Sequence, residues 1–195
     1  MTGRSSDAPA LDDVFLRRWS PRSWSDEPVS DDELRTLFEA ARWTPSWFNS
    51  QPWHYLYADG GPDREALLGV LMDGNRTWAR NAPVVGLVIA RTGLEGFMAR
   101  SRDFDTGAAT MALIIQATML GLSVHLMGGI EVDAAHELTG IDPEVAKIVC
   151  GFVVGRRGDG SDLDEALAGR EHPSDRKPVA EFAFRATQLP AGLFD

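Results

Sequence analysis

Three arginines and a serine lie close together near the start of the chain, in the sequence RRWSPRSW of residues 17–24. Arg18, Ser20 and Arg22 follow one another at every second position, and Trp19 lies beside the first of them. An arginine presents a planar fork of N–H donors that matches phosphate oxygens, and a serine hydroxyl adds another donor. The stretch predicts a phosphate site, although a solvated basic turn paired with nearby carboxylates explains it about as well.

A second candidate segment is TPSWFNSQPWHY, residues 44–55, in which amide side chains lie among tryptophans and prolines. Amides beside fixed aromatic rings suit a flat heterocycle, because they can hydrogen-bond to its edges while a ring stacks on its face. The alternative is a tryptophan-rich corner of the core in which prolines fix the turn. The density of these side chains favours a site that contains Pro45, Ser46, Trp47, Asn49 and Gln51.

Two further segments are weak signals when each is taken alone. In HLMGGIE, residues 125–131, Gly128 and Gly129 follow a predicted strand, and their backbone amides can approach a ligand without side-chain obstruction. A plain strand-to-helix turn would contain the same pair of glycines. Arg176, near the end of the charged stretch 155–178, could fold back onto a phosphate or belong to a charged surface loop.

The helices and strands that must position these segments follow no strict alternation. The clearest helix begins at the capping box Ser30–Glu33 and ends before Pro45. Other hydrophobic patterns predict helices at residues 10–17, 63–72, 106–120 and 133–138, and strands at residues 53–58, 84–90, 123–127 and 148–154. No Gly-x-Gly-x-x-Gly sequence opens a helix after a strand, so the pattern favours an α+β fold over a doubly wound dinucleotide fold.

The predicted helix at residues 106–120 is apolar almost all round, which predicts burial on every face. A chain of this size buries such a helix more easily against a second subunit. The tail from His172 onward has no strong period and ends in the apolar-rich sequence FAFRATQLPAGLF. Tails of this kind are often exchanged between subunits, so we expect a homodimer.

Length and composition limit the possible functions. The 195 residues fit one domain, with about residues 1–10 as a flexible tail. The formal net charge of −10 disfavours binding to nucleic acids and anionic membranes. The single cysteine, Cys150, allows no intrachain disulfide, the N-terminus lacks the apolar core of a signal peptide, and the longest apolar run is too short to span a membrane. We therefore expect a cytoplasmic protein.

Residues for metal binding or acid–base catalysis are not grouped in any recognisable pattern. The four histidines are scattered, and Asp103 and Asp105 are explained better as caps near a helix start than as metal ligands. The chain also contains no Gly-x-Ser-x-Gly nucleophile motif. We predict no metal site and no catalytic side chain.

Taken together and in order, these motifs resemble the nitroreductase family of FMN enzymes, over about residues 11–184. The resemblance rests on the Arg-x-Ser-x-Arg-like opening, the Pro-Ser-x-x-Asn-x-Gln-Pro-Trp turn, an Asn-x-x-Trp-x-x-x-Ala-Pro segment at residues 75–83, a Gly-Leu…Met-Gly-Gly stretch at residues 121–129 and a late arginine. It implies a central, mostly antiparallel sheet flanked by helices, in a homodimer that exchanges its C-terminal tails.

The resemblance also implies roles for individual residues at one end of the cofactor. Arg18, Ser20 and Arg176 would hold the FMN phosphate. Arg22 and Asn75 would face the pyrimidine end of the ring. An arginine there would stabilise the negative charge that develops when the flavin accepts hydride.

The remaining implied roles concern the ring itself. The turn of Pro45, Ser46 and Trp47 would reach the flavin of the other subunit, and Asn49 and Gln51 would brace that turn. The backbone amides of Gly128 and Gly129 would meet the central edge of the ring. Trp19 and Met127 flank these residues and are included in the predicted cofactor site.

The function implied is ping-pong electron transfer from NADPH or NADH, through FMN, to a nitroaromatic, a quinone or a similar small acceptor. Because the flavin supplies the redox chemistry, no catalytic side chain is required. Two alternatives remain open: a flavin enzyme of other chemistry, such as a dehalogenase or dehydrogenase, and a non-enzymatic flavin-sequestering protein. The bulky Trp47, where such reductases often have a small polar residue, and the short stretch 91–105, which can form a longer cover in relatives, leave the substrate open.

Overall fold

Four antiparallel strands form the sheet at the centre of this computed structural model, which describes residues 4–6, 8 and 10–185. The strands are β1 (Trp53–Ala58), β2 (Val84–Arg91), β3 (Ser123–Met127) and β4 (Ala146–Gly155). Their order across the sheet is β1-β2-β4-β3, and each neighbouring pair is antiparallel. The α+β fold and its antiparallel sheet are confirmed.

Seven α-helices accompany the sheet in the described part of the chain. They are α1 (Val14–Arg17), α2 (Asp31–Arg42), α3 (Gly61–Gly69), α4 (Asp73–Ala79), α5 (Gly96–Met119), α6 (Val132–Thr139) and α7 (Glu165–Ala168). The predicted capping box starts α2: the Glu33 amide donates to Ser30 Oγ, and the Ser30 amide donates to Glu33 Oε2. These two bonds satisfy amides that have no partner inside the helix.

Helices cover both faces of the sheet, and β2 supplies apolar side chains to both. Val84 and Val88 belong to the core that contains α2 and α5. Val85 and Leu87 belong to the core that contains α3 and α4. Successive strand residues point to opposite faces, which explains why this strand reads as a continuous apolar run.

A close approach across the sheet requires the glycine in β2. Gly86 lies opposite Phe152 of β4, whose ring is fully buried. A Cβ at Gly86 would lie 2.5 Å from that ring and 2.4 Å from the carbonyl oxygen of Leu56. The missing side chain therefore lets Phe152 fill the core on that face.

Three helix predictions were wrong in their bounds. The predicted helix 10–17 is the short α1, which begins four residues later at Val14. The predicted helix 63–72 is instead α3, and a second helix, α4, follows it at Asp73–Ala79. The predicted helix 106–120 begins ten residues earlier, at Gly96, because a charged stretch without apolar periodicity forms its first turns. Most of the stretch 91–105 therefore belongs to α5.

The face of α5 that is turned away from the sheet stays in contact with solvent in the single chain. Phe104 is 75% exposed, and Met111 and Met119 are also exposed. A single chain thus does not give this helix the burial on every face that the sequence predicted. That prediction involved a second subunit. The predicted exchange of the C-terminal tail between subunits stays a prediction, and residues 186–195 of that tail lie outside the described residues.

Within the described residues, none of the helices combines the length and the hydropathy that are needed to cross a bilayer.

Candidate functional site

Residues from both ends of the described chain line one cavity of about 320 Å³. Four predicted phosphate or ring residues meet there, namely Arg18, Ser20, Arg22 and Arg176. The complete lining consists of Arg4, Arg18, Trp19, Ser20, Arg22, His125, Arg170, His172, Ser174 and Arg176. The described lining thus contains five arginines and no carboxylate.

The segment that carries Arg18 and Arg22 is held in place by two distant parts of the chain. Helix α1 ends at Arg17, and the backbone of Arg18 is extended. The carbonyl oxygen of Pro21 accepts a 2.8 Å hydrogen bond from Nδ1 of His125 on β3. The backbone amides of Arg22 and Ser23 donate to the carboxylate of Glu171 at 2.9 to 3.0 Å. These bonds bring the segment to the part of the chain that contains Arg176.

The positive charges in the cavity are close enough to influence one another. Burial lowers the pKa of the Arg18 guanidinium first, and the positive charges of Arg4 and Arg176 lower it further. Nη1 of Arg18 lies 3.5 Å from Ser20 Oγ, a neutral partner. Three converging guanidinium groups, with no carboxylate in the described lining of the cavity, form an electrostatic site for an anion. The carboxylate of Asp175 offsets part of this positive charge at Arg4.

His125 is the only histidine of β3 and contributes a neutral ring to this cavity. Burial lowers its pKa to about 4, and the positive charges of Arg22 and Arg18 act in the same direction. Because the Pro21 carbonyl can only accept, Nδ1 of the neutral ring carries the proton. The ring therefore adds a fixed dipole to the site and no charge at neutral pH.

Helix α4 connects the arginine cavity to the glycine pair. Its Trp78 lies against His125, with ring centroids 4.5 Å apart, and the guanidinium of Arg22 lies 5.9 Å from the Trp78 ring. One turn earlier, Asn75 Nδ2 donates a 3.0 Å hydrogen bond to the carbonyl oxygen of Gly129. Arg22 thus lies against the helix that carries Asn75, and these two residues were predicted to face the same end of the ring.

The glycine pair comes directly after β3 and is packed closely against α4. A Cβ at Gly129 would lie 2.6 Å from Nδ2 of Asn75, so any larger residue would have to displace the Asn75 side chain. At Gly128, by contrast, a Cβ would meet no atom within 4 Å. Met127 precedes the pair, and its side chain is buried in the core, as is the ring of Trp19 near the arginine cavity.

The turn at residues 45–51 has an unusual backbone for residues that carry side chains. Phe48, Asn49 and Gln51 have φ angles of 51°, 53° and 43°, in the left-handed region that costs most residues roughly 1–2 kcal/mol each. Ser46 Oγ accepts from the Gln51 amide at 3.0 Å, and Asn49 Oδ1 accepts from Gln51 Nε2 at 3.0 Å. These side-chain bonds help to stabilise the turn, together with backbone bonds from the Asn49 amide to the Ser46 carbonyl oxygen and from the Ser50 amide to the Trp47 carbonyl oxygen.

The turn opens onto a surface that is separate from the arginine cavity. Pro45, Ser46 and Trp47 line an apolar hollow together with Phe48 and the Phe104–Asp105 part of α5. None of these residues lines the arginine cavity. Trp47 also stacks on Phe97, with ring centroids 5.7 Å apart and 26° between the planes. Within one chain, the predicted site residues thus form two groups that do not meet.

Several site residues were missed by sequence reasoning. Arg4 lies in the segment expected to be a flexible tail, yet it lines the arginine cavity. His125 comes immediately before the glycine motif, and its position there was the available signal. Arg170 and His172 belong to the charged stretch that contains Arg176, where basic residues other than Arg176 were not considered. Asp105, which had been considered only as a helix cap, accepts from the Trp47 amide.

Comparison with known proteins places this arrangement among relatives. Residues 16–75 and 60–156 match the model of the nitroreductase family. A solved structure described as the oxidoreductase containing FMN is 37% identical, covers 97% of this chain and 98% of its own, and has a TM-score of 0.89. A protein of Leptothrix cholodnii, provisionally named NADH dehydrogenase/NAD(P)H nitroreductase, is 30% identical over 149 residues, which are 66% of this chain and 76% of that protein.

A further solved structure, from Desulfovibrio desulfuricans, carries the provisional name nitroreductase and is described in complex with FMN. It is 25% identical, covers 88% of this chain and 94% of its own, and has a TM-score of 0.70. The matched segments contain the arginine opening, the turn and the glycine pair. On these grounds the chain belongs to the nitroreductase family.

Proposed function

We propose that this protein is an FMN-dependent oxidoreductase that takes electrons from NADPH or NADH and passes them, in a ping-pong sequence, to a nitroaromatic, a quinone or a similar small acceptor. The observation that carries the proposal is the cavity in which Arg18, Ser20, Arg22 and Arg176 meet without a carboxylate. The FMN and NAD(P)H in the names of the relatives support it.

The residues present fit the phosphate of FMN. A phosphate monoester carries a charge of about −1.5 to −2 at neutral pH, and it offers oxygens that accept from guanidinium and hydroxyl donors. Arg18 and Arg176 would neutralise that charge, and the Ser20 hydroxyl would donate to it. Each hydrogen bond to such a charged group contributes about 1.5–3 kcal/mol.

The residues beyond the phosphate fit the ring. Gly128 leaves open space beside the backbone, and Gly129 is fixed by Asn75. Arg22 would place a positive charge at the pyrimidine end, where it stabilises developing negative charge. When bound, FMN supplies hydride acceptance and electron donation, while the protein supplies position and electrostatics.

We further propose that a second copy of the chain completes the site. Within one chain, the hollow beside the turn and the arginine cavity have no lining residue in common. Pro45, Ser46 and Trp47 line only the hollow. Phe48 is 76% exposed, and the neighbouring Phe104 and Met111 of α5 are exposed as well. Phe48 and Phe104 line the same hollow, and exposed apolar side chains that lie together in this way are typical of protein–protein interfaces. Pairing of two copies would bury these side chains and bring the turn of one to the cavity of the other.

The stack of Trp47 on Phe97 indicates which kind of electron acceptor the site could bind. The two rings, 26° from parallel, form an apolar wall beside the turn that suits a flat aromatic molecule. The same stack also favours a second candidate function, in which bulky side chains close the site and the protein only sequesters flavin. No specific observation favours dehalogenation or dehydrogenation.

Purification and reduction test the proposal. The isolated protein should be yellow, release FMN on denaturation and sediment as a dimer. Without oxygen, NADPH or NADH should bleach the colour, and a nitroaromatic or quinone should restore it. A yellow protein that neither nucleotide reduces would be a flavin-sequestering protein. A colourless protein that does not take up added FMN would rule out both functions.

A further inference from the structure

Arg4 joins two segments of the chain that are far apart in sequence. Its Nη1 donates a 2.6 Å hydrogen bond to the carbonyl oxygen of Arg18. Its Nε donates a 2.9 Å hydrogen bond to the carbonyl oxygen of Ser174, which lies 170 residues later. The planar fork of a guanidinium can make both bonds at once, which the single nitrogen of a lysine cannot do with the same geometry.

The two joined segments carry the charges that define the arginine cavity. Arg18 belongs to one segment, Arg176 belongs to the other, and Arg4 itself lines the cavity between them. Like charges at close range repel one another, so the two segments have an electrostatic reason to separate when no anion is present. Burial lowers the pKa of Arg18 first, and the positive charges of Arg4 and Arg176 lower it further. Burial also lowers the pKa of Arg4 first; the positive charge of Arg176 acts in the same direction and the carboxylate of Asp175 in the opposite one. Hydrogen bonds from Arg4 to backbone carbonyls oppose the repulsion between the segments.

We infer that Arg4 is a positioning residue for anion binding: it holds the Arg18 and Arg176 segments together, so that the cavity is assembled before a phosphate monoester enters. Its own positive charge adds to the attraction for the anion. The identification of that anion as the phosphate of FMN rests on the proposed function. Preassembly of this kind raises affinity because the ligand does not have to order the site.

The test compares ligands that differ only in the phosphate. Arg4→Ala should weaken binding of FMN to flavin-free protein roughly tenfold or more, as loss of charge-assisted bonds would predict, and should leave the weaker binding of riboflavin nearly unchanged. Arg4→Lys keeps the charge but not the fork and should give an intermediate loss. Arg35→Ala, at an exposed arginine of α2, is the matched control and should bind both flavins as the wild type does.

A second measurement needs no flavin. Inorganic phosphate should raise the melting temperature of the flavin-free wild type and of Arg35→Ala, but raise that of Arg4→Ala much less. An Arg4→Ala protein that binds FMN as tightly as the wild type overturns the inference. Equal weakening of FMN and riboflavin also overturns it, because it would show only a general structural role. If wild type responds to phosphate but binds no flavin, the proposed function fails and the inference about Arg4 is decided by the phosphate series alone.

Discussion

The backbone amide of Trp47 donates a 3.2 Å hydrogen bond to Oδ2 of Asp105, which lies 58 residues later on α5. The same carboxylate oxygen accepts from Ser101 Oγ at 3.0 Å, and Asp105 is only 2% exposed. A buried carboxylate needs such donors, because an unpaired one would carry a large desolvation cost. This relationship fixes the exposed turn, with its left-handed residues, to the most extensive helix of the described structure.

Loss of this carboxylate should destabilise the fold and displace the turn. Asp105→Ala leaves the Trp47 amide and the Ser101 hydroxyl without their acceptor, so we expect the free energy of unfolding to fall by about 2–3 kcal/mol. Urea denaturation measures the change. Asp103→Ala is the matched control on the same helix, because its exposed ion pair with Lys147 should contribute less than about 1 kcal/mol. Equal losses in the two variants would show that Asp105 does not have the role described.

The arginine cavity predicts a different pattern, in which ligand binding changes and stability does not. Arg18→Ala removes one of the charges that converge there, and we expect the dissociation constant of FMN to rise about 10- to 100-fold. The free energy of unfolding should change little, since the removed charge is repelled by its neighbours. Flavin fluorescence titration and urea denaturation measure the two quantities. Arg17→Ala, at the adjacent residue paired with Asp13, should retain normal FMN affinity.

Local patterns in the sequence were enough for the strands and for the position of the motifs, whereas the antiparallel sheet was implied by the family resemblance. The continuous apolar run of β2 can be recognised from a few consecutive residues. The same is true of the capping box at Ser30 and Glu33. The arginine opening and Arg176 were identified by residue type. Their meeting in one cavity depended on the family resemblance, because nothing local to either segment encodes a contact across more than 150 residues.

Other parts of the site could not be predicted for the same physical reason. Arg4 acts through carbonyl groups, which every residue possesses and no sequence pattern marks. Asp105 looked like a helix cap because its acceptor role depends on the turn at Trp47 packing against it. The start of α5 at Gly96 was missed because the first turns are charged and partly exposed, so they lack the apolar period that reveals a buried helix face.

The exposed apolar face of α5 makes a direct prediction about assembly. Phe104→Glu places a charge in the centre of the surface proposed to pair with a second copy, where its burial would be unfavourable. We expect the variant to be a folded monomer at concentrations where the wild type is a dimer, and to lose FMN because the partner's turn is absent. Sedimentation equilibrium and flavin absorbance test both points. Glu95→Gln, next to the start of α5, is a polar change that should leave the dimer intact. A Phe104→Glu protein that still dimerises would place the interface elsewhere.

The neutral ring of His125 predicts how stability depends on pH. Burial and the positive charges of Arg22 and Arg18 lower its pKa to about 4, against an ordinary value of 6.5. Between these two values the unfolded chain binds a proton that the folded chain does not. The contribution of His125 to the free energy of unfolding is therefore constant above about pH 6.5. It falls by about 3 kcal/mol in all as the pH drops toward 4.

Comparison with His125→Gln isolates this contribution, because glutamine can still donate to the Pro21 carbonyl but does not titrate. Urea denaturation at several pH values should show a steeper loss for the wild type than for the variant, while the carboxylates common to both contribute equally. An anion in the cavity would offset the arginine charges and raise the pKa of His125, so bound FMN should make the wild-type loss less steep. Parallel pH curves for the two flavin-free proteins would show that folding does not lower the pKa of His125.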